Sequence, residues 1–520
     1  MQNTNKFNYL SLYIIIIFFS FLVNFYYSSL GVEPMDSFVL FNGGFKVLNG
    51  LAPFKDYWLV TGPLMDYLNA FFFKIFDVSW TSYIIHSSLT NSLITVLIFT
   101  LFKTLGLNKI YNLIYTLMFA LLMYPSVGVP FVDHHATIFV LSAFCLFIFG
   151  VKKKNKKYFF FIPSFLIIGF LCKQTPTTYG VFAIAFLGLI YLFNTNNIKG
   201  FLLSVTYGSF LSLIILIFFF YFTEIPISNF LIQYIYFAGS IGDYRLSNLK
   251  PDFFGIMHEF KFIIIPFVYS IYLNVIYYKN KLKDEFVILL SMNCFTALMI
   301  FHQLLTMNEN YIFFLIPLLT ALIHTYNLNS NLNRYTKNIF LYSVIALCLF
   351  AVTKYHLRYN EQRKFHRLEK VNLENAVDAN IIHTKLKGLK WITKTFSKEP
   401  NKEIEIILES IDLLKDEKGK FSVITDYLFI PAVLNINDYS PNQWYHPTVS
   451  YPLKDTKYYN NYKSFFVKKL QINQINKIIV VGNGLEDLLA LTFNASCFKK
   501  TKLGEITFRY LIKKDCDEFR

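Results

Sequence analysis

The chain has 520 residues, 54% of them hydrophobic, 19% aromatic and 16% charged, with a mean hydropathy of +0.41; soluble domains carry about 25% charged residues, so a soluble globular enzyme is excluded and an integral membrane protein is expected. A formal charge of +16 and a pI near 9.2 would suit nucleic acid. The lysines, however, stand in short loops between apolar runs, as in Lys152-Lys-Lys-Asn-Lys-Lys157 and Lys279-Asn-Lys-Leu-Lys283, so the excess is topological and no nucleic-acid partner is expected.

In chain order, the first apolar run, Tyr9 to Tyr27, is long for a signal-peptide core and lacks a small-residue cleavage site, so it reads as a retained span. Further spans are expected over 79–102, 109–124, 132–150, 158–172, 177–193, 201–222, 261–278, 286–302, 311–327 and 338–354, eleven in all. They must be helices, because hydrocarbon offers no partner to an open backbone. The piece Gly62–Phe76 is too short to cross and is expected to lie along or dip into the outer surface. With Lys152–Lys157 inside, the N-terminus is cytoplasmic and the 28–78 loop lies outside. The loops near 103, 199, 281 and 334–337 are then inside, and everything after about 355 is periplasmic or its equivalent.

The expected fold class is thus an all-α polytopic membrane domain over 1–354, followed by a small extracytoplasmic α/β domain over 355–520. The tail carries polar helix-like stretches at 366–396 and 402–416 and strand-like runs at Phe421–Thr425, Lys477–Val481 and Ile506–Ile512. It shows no clustered acid or nucleophile, so it is expected to select the acceptor rather than do chemistry. None of the six cysteines forms a CxxC pair, and four lie within or at the ends of apolar runs. Cys497 and Cys516 are the two left to pair, and sequence alone does not say whether their backbones approach.

Ionisable and polar residues gather at the outer ends of the spans: Glu33, Asp36, Asp56, Asp133-His134-His135, Lys173-Gln174, Asp243, Arg245, Lys250, His302, Glu309, Asn310 and Tyr311. Such groups beside membrane helices are costly unless they face a protein interior or a wet cavity, so they are candidate functional residues. From Asp36 to Asn49 the residues Phe38, Val39, Phe41, Phe45, Val47 and Leu48 approximate a helical stripe, Gly50 can end the helix, and Pro53-Phe-Lys-Asp56 turns the chain onward. That stripe predicts a helix lying on the outer leaflet.

An acid just after the first span, an amphipathic helix, then Asn49-Gly-Leu-Ala-Pro-Phe-Lys-Asp56 and Gly62-Pro-Leu64 resembles the first outer loop of the GT-C superfamily of membrane glycosyltransferases. The pattern is similar in particular to the bacterial branch of protein O-mannosyltransferase and aminoarabinose transferase-like enzymes. Ser37 stands where a second acid is usual, and Phe54 where a tyrosine is usual. The resemblance covers roughly 30–320 and does not reach the C-terminal domain. It implies a transferase that moves a hexosyl or pentosyl unit, with inversion, from a polyprenyl-phosphate donor to a glycan, lipid or protein acceptor on the outer face of the cell membrane.

Asp36 falls where that family's first acid stands and is the candidate general base, with Glu33, three residues away, as the alternative. Lys173, Arg245 and Lys250 are candidates to hold the departing lipid phosphate. Asp56, Asp133, His134, His135, Gln174, His302, Asn310 and Tyr311 are candidate substrate-binding residues. A divalent metal is left open, since Asp36, Asp133, His134 and His302 are ligand types. Adjacent helical residues point about 100° apart, so Asp133, His134 and His135 cannot readily chelate one ion together. Structural alternatives stand beside these roles: Asp56 as a turn residue or cap, Glu33 as a solvated loop acid, His302 as an interfacial histidine, and Asp133-His134-His135 as a helix cap. The competing functions are a polysaccharide polymerase or ligase of another fold, and a secondary transporter; the span interiors carry almost no acids or bases, which disfavours the transporter.

Overall fold

The computed structural model describes residues 9–194, 197–250, 252–281, 283–306, 311–328, 334–482, 484–485, 487–516 and 519. Long runs of Ile, Leu, Phe and Tyr meet their backbone hydrogen-bonding needs within the segment by coiling, and the chain is mostly helical. Helix α1 (Tyr9–Ser28) leads to two shorter helices, α2 (Pro34–Leu48) and α3 (Leu64–Phe76). There follow α4 (Trp80–Leu105), α5 (Lys109–Met123), α6 (Val132–Lys153), α7 (Lys157–Cys172), α8 (Gln174–Asn194) and α9 (Ile198–Thr223). The short α10 (Ile227–Phe230) passes through a π-helical stretch, Leu231–Phe237, into α11 (Ala238–Asn248). Then come α12 (Phe253–Lys279), α13 (Lys283–Thr306), α14 (Leu315–Leu328), entered by the 3₁₀ turn Ile312–Phe314, and α15 (Arg334–His356).

Each apolar run expected from the sequence is helical. Among the described residues eight helices are long and apolar enough to cross a membrane, those of α1, α4, α6, α8, α9, α12, α13 and α15, while the helices at α5, α7 and α14 are apolar but shorter. Large apolar side chains such as Phe182, Phe210 and Phe222 are more than 60% exposed, as lipid-facing positions would be.

The two short helices of the first loop differ in a way the stripe did not foretell. Helix α3 keeps Phe71, Ile75 and Phe76 outward and buries Asp66, Asn69 and Phe73, which suits a helix lying at a bilayer surface. Helix α2 was expected to do the same, yet Phe38, Leu40, Phe41, Phe45 and even Lys46 are buried. Its outer side is covered by the tail instead of lipid: the Phe38 ring lies 4.8 Å from Phe429 and 6.2 Å from Trp391. A glycine makes the approach possible, because a Cβ on Gly43 would stand 2.1 Å from both Asp66 Oδ1 and Gln443 Nε2.

The tail opens differently from expectation. No continuous helix fills 366–396; short 3₁₀ turns at Lys364–His366, Leu373–Asn375, Ala379–Ile381 and Thr384–Leu386 alternate with the two-residue strands β1 (Val377–Asp378) and β2 (Lys390–Trp391). The side chains of Asn372, Asp378 and His383 each accept a backbone N–H two residues on, and such local bonds compete with a helix. The later elements are α16 (Pro400–Lys415), β3 (Ser422–Thr425), α17 (Ile430–Leu434), α18 (Tyr459–Ile472), β4 (Lys477–Val481), α19 (Asp487–Thr492), β5 (Phe498–Lys502) and β6 (Thr507–Ile512). The sheet order is β3-β4-β6-β5. Strands β3 and β4 are parallel, with Val423 opposite Ile479, and the other pairs are antiparallel. Cys497 and Cys516 form a disulfide beside the β5–β6 hairpin.

One apolar core joins α2, α3 and the start of α4 to the sheet and helices of the tail, running from Phe38, Phe41 and Trp80 to Phe429, Ile479 and Leu489. Polar ties reinforce it. The buried Lys46 ammonium lies 3.2 Å from Asp438 Oδ2 and donates to the carbonyls of Ser440 and Asn442. Buried Arg363 donates to the carbonyls of Leu30, Pro125 and Val127.

Candidate functional site

Helix α6 starts at Val132, so Asp133 sits in its first turn, where the free backbone N–H groups favour a carboxylate. The chain between α7 and α8 is extended at Lys173 (φ −158°, ψ 142°) and again at Thr175 (φ −109°, ψ 141°), the region a residue before proline prefers. This break delivers Lys173 to Asp133. Its Nζ donates to both carboxylate oxygens at 2.7 and 2.6 Å, and His302 Nε2, from α13, stands 3.2 Å from Oδ1. The ring of Tyr311 packs on His134 with centroids 4.5 Å apart. Arg245, half-buried on α11, is near enough for Asp133 to act on its charge; burial draws its pKa below the ordinary guanidinium range, and Asp133 opposes that.

Six residues expected from the sequence therefore meet at one end of the bundle, carried by α6, the α7–α8 junction, α11, α13 and the approach to α14. Asp133 is fully engaged. Both ring nitrogens of His134 and Nδ1 of His302 are buried without a hydrogen-bond partner among the described residues, while the Tyr311 hydroxyl lies beside Thr137 and Asp133. Each such orphan costs about 1–3 kcal/mol, so a ligand offering acceptors beside the Lys173 and Arg245 cations would meet a need already present.

Other expected residues lie elsewhere. His135 points away from Asp133, as the helical angle requires: its Nε2 is 3.1 Å from His86 Nε2 and its Nδ1 2.9 Å from the Tyr124 hydroxyl, which ties α6 to α4. Gln174 donates to the carbonyls of Val60 and Tyr234 and fastens the first loop to the π-helical stretch. Asp56 accepts from Ala52 N at 2.8 Å and pairs with Lys469 of the tail at 3.3 Å, the turn-residue role. Asp243, in the middle of α11, and Lys250, just past its end, are exposed. Glu309 and Asn310 lie outside the described residues.

Asp36 and Glu33 form a second group, between α2 and the tail. Pro34 begins α2, Glu33 is its N-cap residue and Asp36 is in its first turn. Neither carboxylate has a hydrogen bond or ion pair among the described residues. Burial raises the pKa of Asp36, with His446 and Arg367 opposing. Burial also raises that of Glu33, assisted by repulsion from Asp36 and Asp426 and opposed by Arg367 and Lys394. Asp426, just past the C-terminal end of β3, is pushed up to about 6 by burial.

An acid of the tail thus stands close enough to the first loop to act on the charge of Glu33. Among the described residues no three or more His, Cys, Asp or Glu side chains are grouped to hold a metal. Asp36, Asp133, His134 and His302 do not form a ligand set, because Asp133 is engaged by Lys173 and His302 while Asp36 faces the tail. No step is therefore assigned to a metal.

No protein-family model and no curated protein matches the chain.

Sequence reasoning passed over Lys46, Asp66, Arg367, Asp426 and His446. Asp66 is buried on α3, where it accepts from the Tyr57 hydroxyl at 2.7 Å and from Gln443 Nε2 at 3.0 Å. A signal existed for Asp426 alone: an acid directly after a buried strand stands at the carboxyl end of a parallel pair, where α/β sheets place ligand-binding residues. Lys46 and Asp66 gave none, since a charge on an amphipathic stripe reads as solvated until the tail covers it.

Proposed function

We propose that the protein is a membrane glycosyltransferase of the GT-C type, transferring a sugar from a polyprenyl-phosphate donor to a glycan, lipid or protein acceptor at the outer face of the cell membrane. The observation that carries this reading is the convergence of Lys173, Arg245, His134, His302 and Tyr311 around Asp133 at one end of the apolar helices. A phosphate tethered to a membrane-dissolved carrier needs cations and donors at such a place. At about 4 Å and an effective dielectric of 20, one ammonium alone is worth about 4 kcal/mol to it; the Asp133 carboxylate paired with Lys173 offsets part of that, which leaves the larger share to Arg245.

In the reaction, Asp36 accepts the proton of the acceptor hydroxyl and the oxygen attacks the anomeric carbon. The bond from that carbon to the phosphate oxygen breaks, and the lipid phosphate leaves toward Lys173 and Arg245. An unpaired carboxylate of raised proton affinity suits the base, and Glu33 is the nearest alternative. The disulfide supports an extracytoplasmic tail, because such bonds persist in oxidising compartments.

Protein reconstituted in vesicles, given defined polyprenyl-phosphate sugars and a pool of acceptors, should transfer the sugar and show no ion-driven solute uptake. Uptake without transfer would replace this reading with a transporter. Reporter fusions after Phe76, Phe131, Gln174 and Lys420 should be exported, and those at Lys154 and Lys281 cytoplasmic. Cytoplasmic labelling at Lys420 would overturn the orientation.

A further inference from the structure

Where the first loop, the start of the π-helical stretch and α18 meet, they enclose a cleft of about 650 Å³, within the roughly 300–1,000 Å³ of small-ligand sites. Its lining includes Lys55, Lys468, Lys469, Trp58, Asn229 and Gln233. The walls are fixed from behind. Asn229 Nδ2 donates to the Phe54 carbonyl at 2.8 Å, Gln233 Nε2 donates to the same carbonyl at 3.3 Å, and Gln233 Oε1 accepts from Leu59 N at 3.0 Å. Phe54 holds φ +62° to present that carbonyl, an unusual conformation for a bulky residue that persists only where surroundings impose it.

Trp58 is 2% exposed, yet its indole N–H has no partner among the described residues. Its ring is held edge-on by Tyr462 at 5.2 Å and Phe465 at 5.7 Å. The lysines are unequal: Lys469 is paired with Asp56 and Lys55 with Glu224, whereas Lys468 is exposed and has no ion pair or hydrogen bond among the described residues. Trp58 and Gln233 thus form a rigid floor, and the exposed Asn460, Asn461, Ser464 and Lys468 give the cleft a polar mouth with one uncompensated cation.

We infer that this cleft binds an anionic saccharide, with Asn229, Asn460, Asn461 and Ser464 at its mouth receiving the sugar hydroxyls and Lys468 its acid group. The two sites are joined structurally. Gln174 bonds the carbonyl of Tyr234, next to Gln233, and that of Val60, next to Leu59, and Gln174 follows Lys173. On the glycosyl-transfer reading, on which this last step rests, the ligand is the acceptor.

The test uses the full chain in lipid nanodiscs, with trigalacturonate as the charged probe and maltotriose as the neutral one, measured by calorimetry. Trigalacturonate should bind at least about tenfold more tightly than maltotriose, and more weakly as salt rises. Lys468→Glu should weaken trigalacturonate about tenfold or more and leave maltotriose unchanged. As Lys468 is exposed, loss of fold is not expected, and unchanged binding of polyprenyl phosphate would confirm that it is intact. Absence of trigalacturonate binding, equal binding of the two sugars, or indifference to Lys468→Glu overturns the inference. If trigalacturonate binds as described but no sugar is transferred from any polyprenyl-phosphate donor, the transferase reading falls and the cleft stands. If transfer occurs without trigalacturonate binding, the cleft assignment alone falls.

Discussion

The Asp133 group and the Asp36 group hold acids in opposite electrostatic states. Asp133 is buried and satisfied, both oxygens taken by Lys173 and one also by His302. Asp36 and Glu33 feel only charges at a distance, Asp426 acting on Glu33 and Arg367 on both. A carboxylate locked to a lysine keeps its charge and orients the cation, which suits it to hold a ligand and makes it a poor base. A carboxylate stripped of water without a close partner clings to its proton, which suits proton transfer. Their placement also differs: the first group is carried by the apolar helices and the segments that join them, the second lies where the tail covers α2.

The largest effect should come from the second group. Asp36→Asn keeps the shape but cannot take a proton, so turnover should fall by about 10² to 10⁴, while donor affinity changes far less. The wild-type rate should rise with pH through a value above the ordinary carboxylate range, and Asp36→Asn should lose that limb. If Glu33→Gln is inactive and Asp36→Asn is not, the base is Glu33 and the contrast between the groups survives with its residue renamed.

Next, Asp133→Ala leaves Lys173 and His302 facing a void, and breaking a buried pair costs about 3–5 kcal/mol. The lower end applies because Lys173 is 18% exposed. Thermal unfolding in detergent should show that loss and its partial recovery in Asp133→Ala with Lys173→Met. Equal stability of wild type and Asp133→Ala would mean that Asp133 is not the satisfied partner described.

The smallest effect concerns Asp66, whose pKa burial raises to about 7, opposed by the Tyr57 and Gln443 hydrogen bonds and by Lys46. Unfolded, it would titrate near about 4, so between those values the folded protein binds the extra proton. The stability from this group is full below about 4 and is lost as pH climbs to about 7. Asp66→Asn should flatten that slope in denaturation midpoints measured at pH 5 and pH 8. An unchanged slope would assign it to another buried acid, with Asp426 the next to replace.

Much of this was legible in the residues themselves. Apolar runs long enough to fill a bilayer become helices whatever surrounds them, because an unpaired backbone in hydrocarbon is too costly, so the positions of α1 and α4 to α9 follow from local composition. Charges at helix mouths are expensive enough to signal a role, which is why Asp133, Lys173, Arg245 and His302 could be picked out across more than a hundred residues of separation. Their pairing was not legible. It depends on the break at Lys173–Thr175 and on which faces of α6 and α13 meet.

The tail shows the sharper limit. Its strands at 422–425, 477–481 and 507–512 announce themselves by β-branched and apolar residues, while β5, Phe498-Lys-Lys-Thr-Lys502, reads as a charged loop and becomes a strand only by pairing with β6. A polar tail after the last span also looks detachable. The shared core and the Lys46–Asp438 and Asp66–Gln443 contacts make the tail part of what holds α2. By itself the sequence determined the helices and their costly charges, because those follow from local hydrophobicity and solvation. Tertiary structure alone decided that α2 is covered by protein rather than lipid, that Asp426 comes near Glu33, and that Asp133 is paired while Asp36 is not. Those outcomes depend on which distant surfaces exclude water from each other, a property no local stretch of sequence carries.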